Sequence, residues 1–214
     1  MSDWTGGWVA EKMKGHTEVK GVALLTPRHV ELIRKKYSKI IVGTTAVDRF
    51  DASALTPFLE GTPEVSFVVN VPKESYITGN ALRLGARHGI PIGGLGDLMR
   101  AVSLPDVSEY VSKEISFIER GLAQHTRIES YERLDDRRYL VRRHDLNDVH
   151  VVFLNEYDLT ADHVRTARSR YGPFTMLVIT NPNGRATSSA VSAADAVGCS
   201  IYKWGDFMGA LNRR

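Results

Sequence analysis

Apolar side chains recur along this chain at two spacings. Over residues 8–16, and over a longer run at 107–125, they return every three to four positions. Val111, Ile115, Ile118 and Leu122 show the pattern, which predicts helices with one buried side. Each helix is followed by three short stretches rich in Val, Ile, Leu and Tyr. They lie at 19–25, 29–36 and 39–45 after the first, and at 127–134, 139–144 and 150–154 after the second, and they predict strands. Helices are predicted next at 52–59 and 161–171. Residues 65–71 and 174–180 are apolar with hardly any alternation, the pattern of strands covered on both faces. A polar turn follows each, Pro72-Lys-Glu-Ser75 or Asn181-Pro-Asn-Gly184, and then a helix capped by Thr78 or Thr187. Gly89 and Gly198 close those helices, because a residue without a Cβ adopts the left-handed C-terminal cap at little cost. Short strands at 90–95 and 199–204, then last helices with Asp97 and Asp206 as N-caps, complete the series.

The two series are one series written twice. At an offset of 109 positions, sixteen of the roughly one hundred residue pairs are identical, more than ordinary residue frequencies supply. Gly89, Ile92, Gly96 and Asp97 meet Gly198, Ile201, Gly205 and Asp206, while His16, Arg28 and Arg34 meet His125, Arg137 and Arg143. The expected fold class is therefore α/β, with two tandem copies of an α-βββ-α-β-α-β-α unit at residues 1–105 and 106–214. In the linker Ser103-Leu-Pro-Asp106, Pro105 stops one helix and Asp106 caps the next. So short a link predicts that the copies pack as a pseudo-twofold pair, burying a shared face as a homodimer would.

Composition narrows the class. Hydrophobic residues make up 43% and charged residues 25%, which suits a folded domain and excludes a disordered chain. No run of about 18 apolar residues exists to span a bilayer, and the N-terminus lacks a charged-then-apolar leader pattern. A cytoplasmic protein with no membrane partner is expected. The single cysteine, Cys199, has no internal disulfide partner and is expected to be a small buried hydrophobe rather than a reactive thiol. The net charge of +3 permits a nucleic-acid partner without requiring one. Basic residues outnumber acidic ones 13 to 10 in residues 1–105 and equal them at 15 each in the remainder, so the excess belongs to the first copy.

The element order resembles the restriction-endonuclease-like fold, and about forty residues in the second half of each copy resemble its Mrr-type branch. These stretches begin at Val65-Ser-Phe-Val-Val-Asn-Val-Pro and at Phe174-Thr-Met-Leu-Val-Ile-Thr-Asn-Pro. In each, an apolar strand ends in a polar turn, a helix of small residues follows, and a short strand leads to a terminal helix. The resemblance implies metal-assisted phosphodiester hydrolysis, with an acid near the second strand and a Glu/Asp-x-Lys set on the third. There the carboxylates hold Mg²⁺, which polarises the phosphate and lowers the pKa of the attacking water. The third strand of the first copy, Lys39-Ile-Ile-Val-Gly-Thr-Thr45, has neither the acid nor the following lysine, so that copy reads as catalytically dead. The second copy keeps Asp135 and Asp136 before its second strand, Glu156 and Asp158 after its third, and Glu119 on the preceding helix, but lacks the lysine. If activity survives, Glu119, Asp136 and Glu156 are the candidate catalytic residues, and Asp136 and Glu156 the Mg²⁺ ligands. Otherwise no cofactor is expected, and the balance leans away from an enzyme.

Basic residues recur at matched places. Arg28 and Arg137 stand at the start of the second strand, and Arg34-Lys35-Lys36 and Arg142-Arg143-His144 at its end. Two such patches related by a pseudo-twofold would neutralise phosphates on both strands of a duplex. A DNA-binding pseudo-nuclease built from two degenerate domains is therefore the leading expectation. The alternatives are a protein-interaction or assembly module, and a divergent Mg²⁺-dependent endonuclease working from the second copy. Charged strand edges that resist aggregation would give the same pattern. Lys73 and Arg185 lie near helix N-termini, where capping alone explains the threonines, and Asn181-Pro-Asn-Gly184 lacks the lysine of a phosphate loop. His16 and His125 are expected to complement a helix C-terminus. Trp4, Trp8 and Trp204 are too dispersed in sequence to suggest a base-stacking platform, and Trp8, matched to Phe117, is expected in the core.

Overall fold

The computed structural model describes residues 4–73 and 75–213, so Glu74 of the first predicted turn, residues 1–3 and residue 214 lie outside the description. The chain divides into two units, Met1–Ser112 and Lys113–Arg214.

In the first unit, α1 (Thr5–Met13) leads into β1 (Val19–Thr26), β2 (His29–Arg34) and β3 (Ile40–Thr45). Then come β4 (Arg49–Phe50), α2 (Ala52–Leu59), β5 (Phe67–Asn70), β6 (Tyr76–Ile77), α3 (Gly79–Arg87), β7 (Ile92–Gly93) and α4 (Leu95–Ala101). The five-stranded sheet has the order β1-β2-β3-β5-β7. Its first three strands form an antiparallel meander, while β3, β5 and β7 run parallel. Helices cover both faces. On one, Val9 and Met13 of α1 and Leu98 and Ala101 of α4 pack on Val30, Leu32, Val42, Phe67 and Val69. On the other, Leu55 and Phe58 of α2 and Ala81 of α3 pack with Val68. β5 therefore faces a core on each side, and all four of its residues are buried, as its lack of alternation predicts.

The second unit repeats the plan. It runs α5 (Lys113–Gln124), β8 (Ile128–Arg133), β9 (Arg138–Arg143), β10 (Leu146–Leu154), β11 (Asp158–Leu159), α6 (Ala161–Tyr171) and β12 (Met176–Ile179). It ends with β13 (Arg185–Ala186), α7 (Ser188–Asp195), β14 (Ser200–Lys203) and α8 (Trp204–Ala210). Its sheet has the matching order β8-β9-β10-β12-β14. Ile118 and Leu122 of α5 and Phe207 of α8 close one face over Tyr139, Val141, Val151, Phe153 and Val178. The 109-residue offset carries β2 onto β9, β4 onto β11, β5 onto β12, β6 onto β13 and α4 onto α8 with no change of boundary.

The caps follow the expected chemistry. Thr78 Oγ1 accepts from the Ala81 amide at 3.3 Å, and Thr187 Oγ1 from the Ala190 amide at 3.2 Å. Gly89 and Gly198 take φ of 66° and 67°.

Three expectations are corrected. The helix predicted over 107–125 is broken into a 3-10 turn, Val107–Glu109, and α5. Asp106 caps the turn through the Ser108 amide, after which Tyr110 is extended. The Tyr110 ring lies beside Phe67, and its hydroxyl donates to Asp97 Oδ1 at 2.7 Å, so the segment belongs to the first core and that unit runs to Ser112. The last helices begin at Leu95 and Trp204. Asp97 is not the N-cap: from the third helical position it accepts the Gly94 amide at 3.0 Å, and Asp206 likewise lies in the first turn. The two-residue parallel pairs β4·β6 and β11·β13 are too short to leave a periodic signal and are additions to the expected order. No helix among the described residues is long and apolar enough to cross a membrane.

Candidate functional site

The matched arginines at the strand ends are internal fasteners. Arg34 is 5% exposed, and its Nε donates to the Ser38 carbonyl at 2.7 Å while Nη1 donates to the Leu104 carbonyl at 2.6 Å. Arg143 is 6% exposed and repeats both contacts, with Nε on the Asn147 carbonyl at 2.8 Å and Nη1 on the Arg213 carbonyl at 2.9 Å. Each partner lies 109 residues beyond its counterpart. Each guanidinium ties the turn after its strand to the segment after the last helix of its unit. Burial lowers the pKa of both groups. A phosphate would have to displace these carbonyls, which removes Arg34 and Arg143 from any contact surface.

Arg28 and Arg137, at the other end of the second strand, are also engaged. Arg28 lies over the Phe58 ring, 4.7 Å from its centroid, and its Nε donates to the Thr44 carbonyl. Arg137 Nη1 donates to Glu114 Oε2 at 2.8 Å, and Glu114 Oε1 accepts from Thr180 Oγ1 at 2.6 Å. Burial opposes the Arg137 charge, but Glu114, helped by Asp136 and Tyr171, more than offsets it and holds the guanidinium above its ordinary value. Close by, burial and then the charge of Asp136 push the Tyr171 hydroxyl up to about 12. Glu114, at the start of α5, was not anticipated as a site residue. Its match in the first copy is Thr5, which bonds Thr44 instead, so a polar residue recurring at the head of each first helix was the available signal.

Three of the seven predicted basic residues, Lys35, Lys36 and Arg142, remain open to solvent. Lys35 and Lys36 lead into the β2–β3 turn, with Lys39 at its far side. The pairing of Val19 with Arg34 brings the beginning of β1, and thus exposed Lys20, to the same end of the sheet. Glu18, its side chain 28% exposed, lies 3.9 Å from Lys36, and Glu31, 16% exposed, bonds Lys39. In the second unit the positions matching Lys36 and Lys39 are Asp145 and Asp148. Arg142 lies 3.9 Å from Glu132. The lysine cluster is a property of the first unit alone.

The second-unit acids have separate duties. Asp135 is fully buried, and its Oδ1 accepts the Arg137 and Arg138 amides at 3.0 and 2.6 Å, fixing the turn between β8 and β9. Glu119 accepts from the Tyr139 hydroxyl at 3.1 Å. Glu156 faces His163 Nε2 at 3.8 Å, and Asp158 accepts from Arg185 Nε at 2.6 Å. Among the described residues no three His, Cys, Asp or Glu side chains gather as a metal-binding group.

His16 and His125 are tied in by their rings, Nδ1 accepting the Glu18 amide at 3.3 Å in one copy and the Arg127 amide at 3.2 Å in the other. Cys199 is buried, and burial pushes its thiol up to about 11. Trp8 packs against the first core, with Trp4 edge-on to it. Phe117, the match of Trp8, is placed differently. It is 42% exposed and lies 4.5 Å, centroid to centroid, from Trp204 at the head of α8. Comparison with known proteins finds no matching family model, no matching curated protein and no matching solved structure.

Proposed function

We propose that this protein binds nucleic acid, duplex DNA first, along its phosphate backbone, using the lysine-rich end of the first unit. The observation that carries the reading is the grouping of Lys20, Lys35, Lys36 and Lys39 at one end of the sheet, with Lys36 70% exposed and loosely paired, 3.9 Å from Glu18. Pairs of that kind are worth little in water and yield readily to a phosphate. A third strand with neither catalytic acid nor lysine, in a mixed sheet with helices on both faces, supports the view that the first unit is a degenerate nuclease-like scaffold used for binding. Fold analogy contributes no more than that.

The test is duplex affinity across a salt series. About four phosphates neutralised predict roughly a hundredfold loss between about 50 and 200 mM salt. Affinity that ignores salt, or no binding at the low end of the series, would exclude the reading.

A second reading, a protein-interaction module, is favoured by the first unit's edge strand and its neighbour, which expose Leu24, Leu25 and Ile33. A partner that stays bound through high salt and nuclease treatment would select it.

A further inference from the structure

The second unit presents an exposed aromatic face. α5 and α8 border an open groove of about 490 Å³ lined by Phe117, Arg120, Gly121, Gln124, Thr126 and Trp204, among others. Gly121 lies in the body of α5, where glycine destabilises a helix relative to alanine. A Cβ there would come within 2.3 Å of Trp204 Cζ2. The glycine thus lets the indole lie against the helix, with one edge packed on Phe153 and Phe207 and the other beside Phe117. The first copy holds Lys12 and Leu95 at the positions of Gly121 and Trp204, and Lys12 sits over Trp8. Loss of the lysine and gain of the tryptophan are two changes that act on one space.

We propose that this groove takes the ring of an unpaired nucleobase, stacked on Phe117 and Trp204, with Arg120 at the rim against the attached phosphate. The inference rests on the nucleic-acid reading and adds a second, sequence-tolerant contact in a different unit. Flat π-faces suit any base. The polar members favour a nucleotide over an apolar side chain of a protein. Arg120 is exposed and cationic, and Gln124 and Thr126 offer donors and acceptors along the same wall. His125 is already engaged, its Nε2 lying 3.0 Å from the Met208 carbonyl, so the groove keeps its shape without a ligand.

The experiment uses the full chain with Trp4→Phe and Trp8→Phe, so that Trp204 is the only indole. A short single-stranded oligothymidylate and thymidine 5′-monophosphate are titrated at high salt, where backbone contacts fade. The groove predicts saturable quenching of Trp204 by both, weakened about tenfold by Phe117→Ala and lost in Gly121→Ala, where the ring must move. Circular dichroism confirms that each variant is folded. Quenching absent from the folded protein, or unchanged by Phe117→Ala, overturns the proposal, as does saturation by free indole with no response to either nucleotide. Salt-sensitive duplex binding that persists without quenching removes the groove and leaves the lysine cluster standing, whereas loss of both removes the nucleic-acid reading itself.

Discussion

Arg34 and Arg143 each commit a buried charge to main-chain carbonyls, and two of those bonds recur at the repeat offset. Removing either guanidinium leaves partly buried carbonyls without their donors. Arg34→Met or Arg143→Met is therefore expected to cost about 2–4 kcal/mol of stability, read as a lower urea midpoint. Duplex affinity of the folded variants should not change, and a parallel fall in affinity with unchanged stability would return these arginines to the surface. Cys199 gives a second residue-scale expectation. A thiol held near 11 is almost wholly protonated at neutral pH, so Ellman's reagent should label native Cys199 only as fast as the protein opens. Labelling at the rate of a free thiol would contradict its burial. Both arginines were visible in the sequence as a matched pair. Their role was not, because a repeated arginine marks a duplicated carbonyl cage as readily as a duplicated phosphate contact.

At the scale of elements, the glycines that end α3 and α7 allow a matched comparison. At Gly198 nothing lies within 4 Å of where an alanine methyl would sit, so alanine there incurs only the left-handed backbone penalty, about 1–2 kcal/mol. Gly89→Ala meets the Ser108 side chain at 3.4 Å, an ordinary contact, and should cost about the same in equilibrium denaturation. A neutral result at both sites would refute the left-handed caps. The sequence disclosed these ends, the two central helices α2 and α6, and the doubly buried β5 and β12, because each rests on local chemistry or continuous apolar runs. It failed between 107 and 113. There the apolar spacing continues past Val107 and Val111 toward Ile115, but tertiary contacts of Tyr110 with Asp97 and Phe67 hold residues 110–112 out of the helix. Periodicity does not register that competition. The aromatic groove was invisible for a similar reason, since Phe117 and Trp204 lie far apart in sequence and meet only through the packing of α5 and α8.

For the whole molecule, the repeat conveys scaffold more than site. What the copies share is capping, carbonyl binding and core alternation; the lysine cluster is confined to one copy and the Glu114–Arg137–Thr180 set to the other. Stability as a whole should be sensitive to alkali. Burial first, then Asp97, raises the pKa of Tyr110, burial raises that of Tyr139 in the same way, and Tyr171 reaches about 12. Their neutral forms are favoured in the folded state, so their contribution is complete below about pH 10 and is lost as pH climbs through the folded values. Urea midpoints should fall above about pH 10, with tyrosinate absorbance rising as the protein unfolds. A flat midpoint with all tyrosines ionising in the folded protein would contradict this. The central claim, that the first unit's lysine cluster holds a nucleic-acid backbone, is tested most directly by duplex affinity at low salt after reversing Lys35, Lys36 and Lys39 to glutamate. The matched control reverses Lys113, Arg165 and Arg213 in the second unit. The cluster predicts that the first variant stays folded and loses binding by at least about a hundredfold while the control binds nearly as tightly as the parent. Equal losses in the two variants, or undiminished binding by the first, would contradict it.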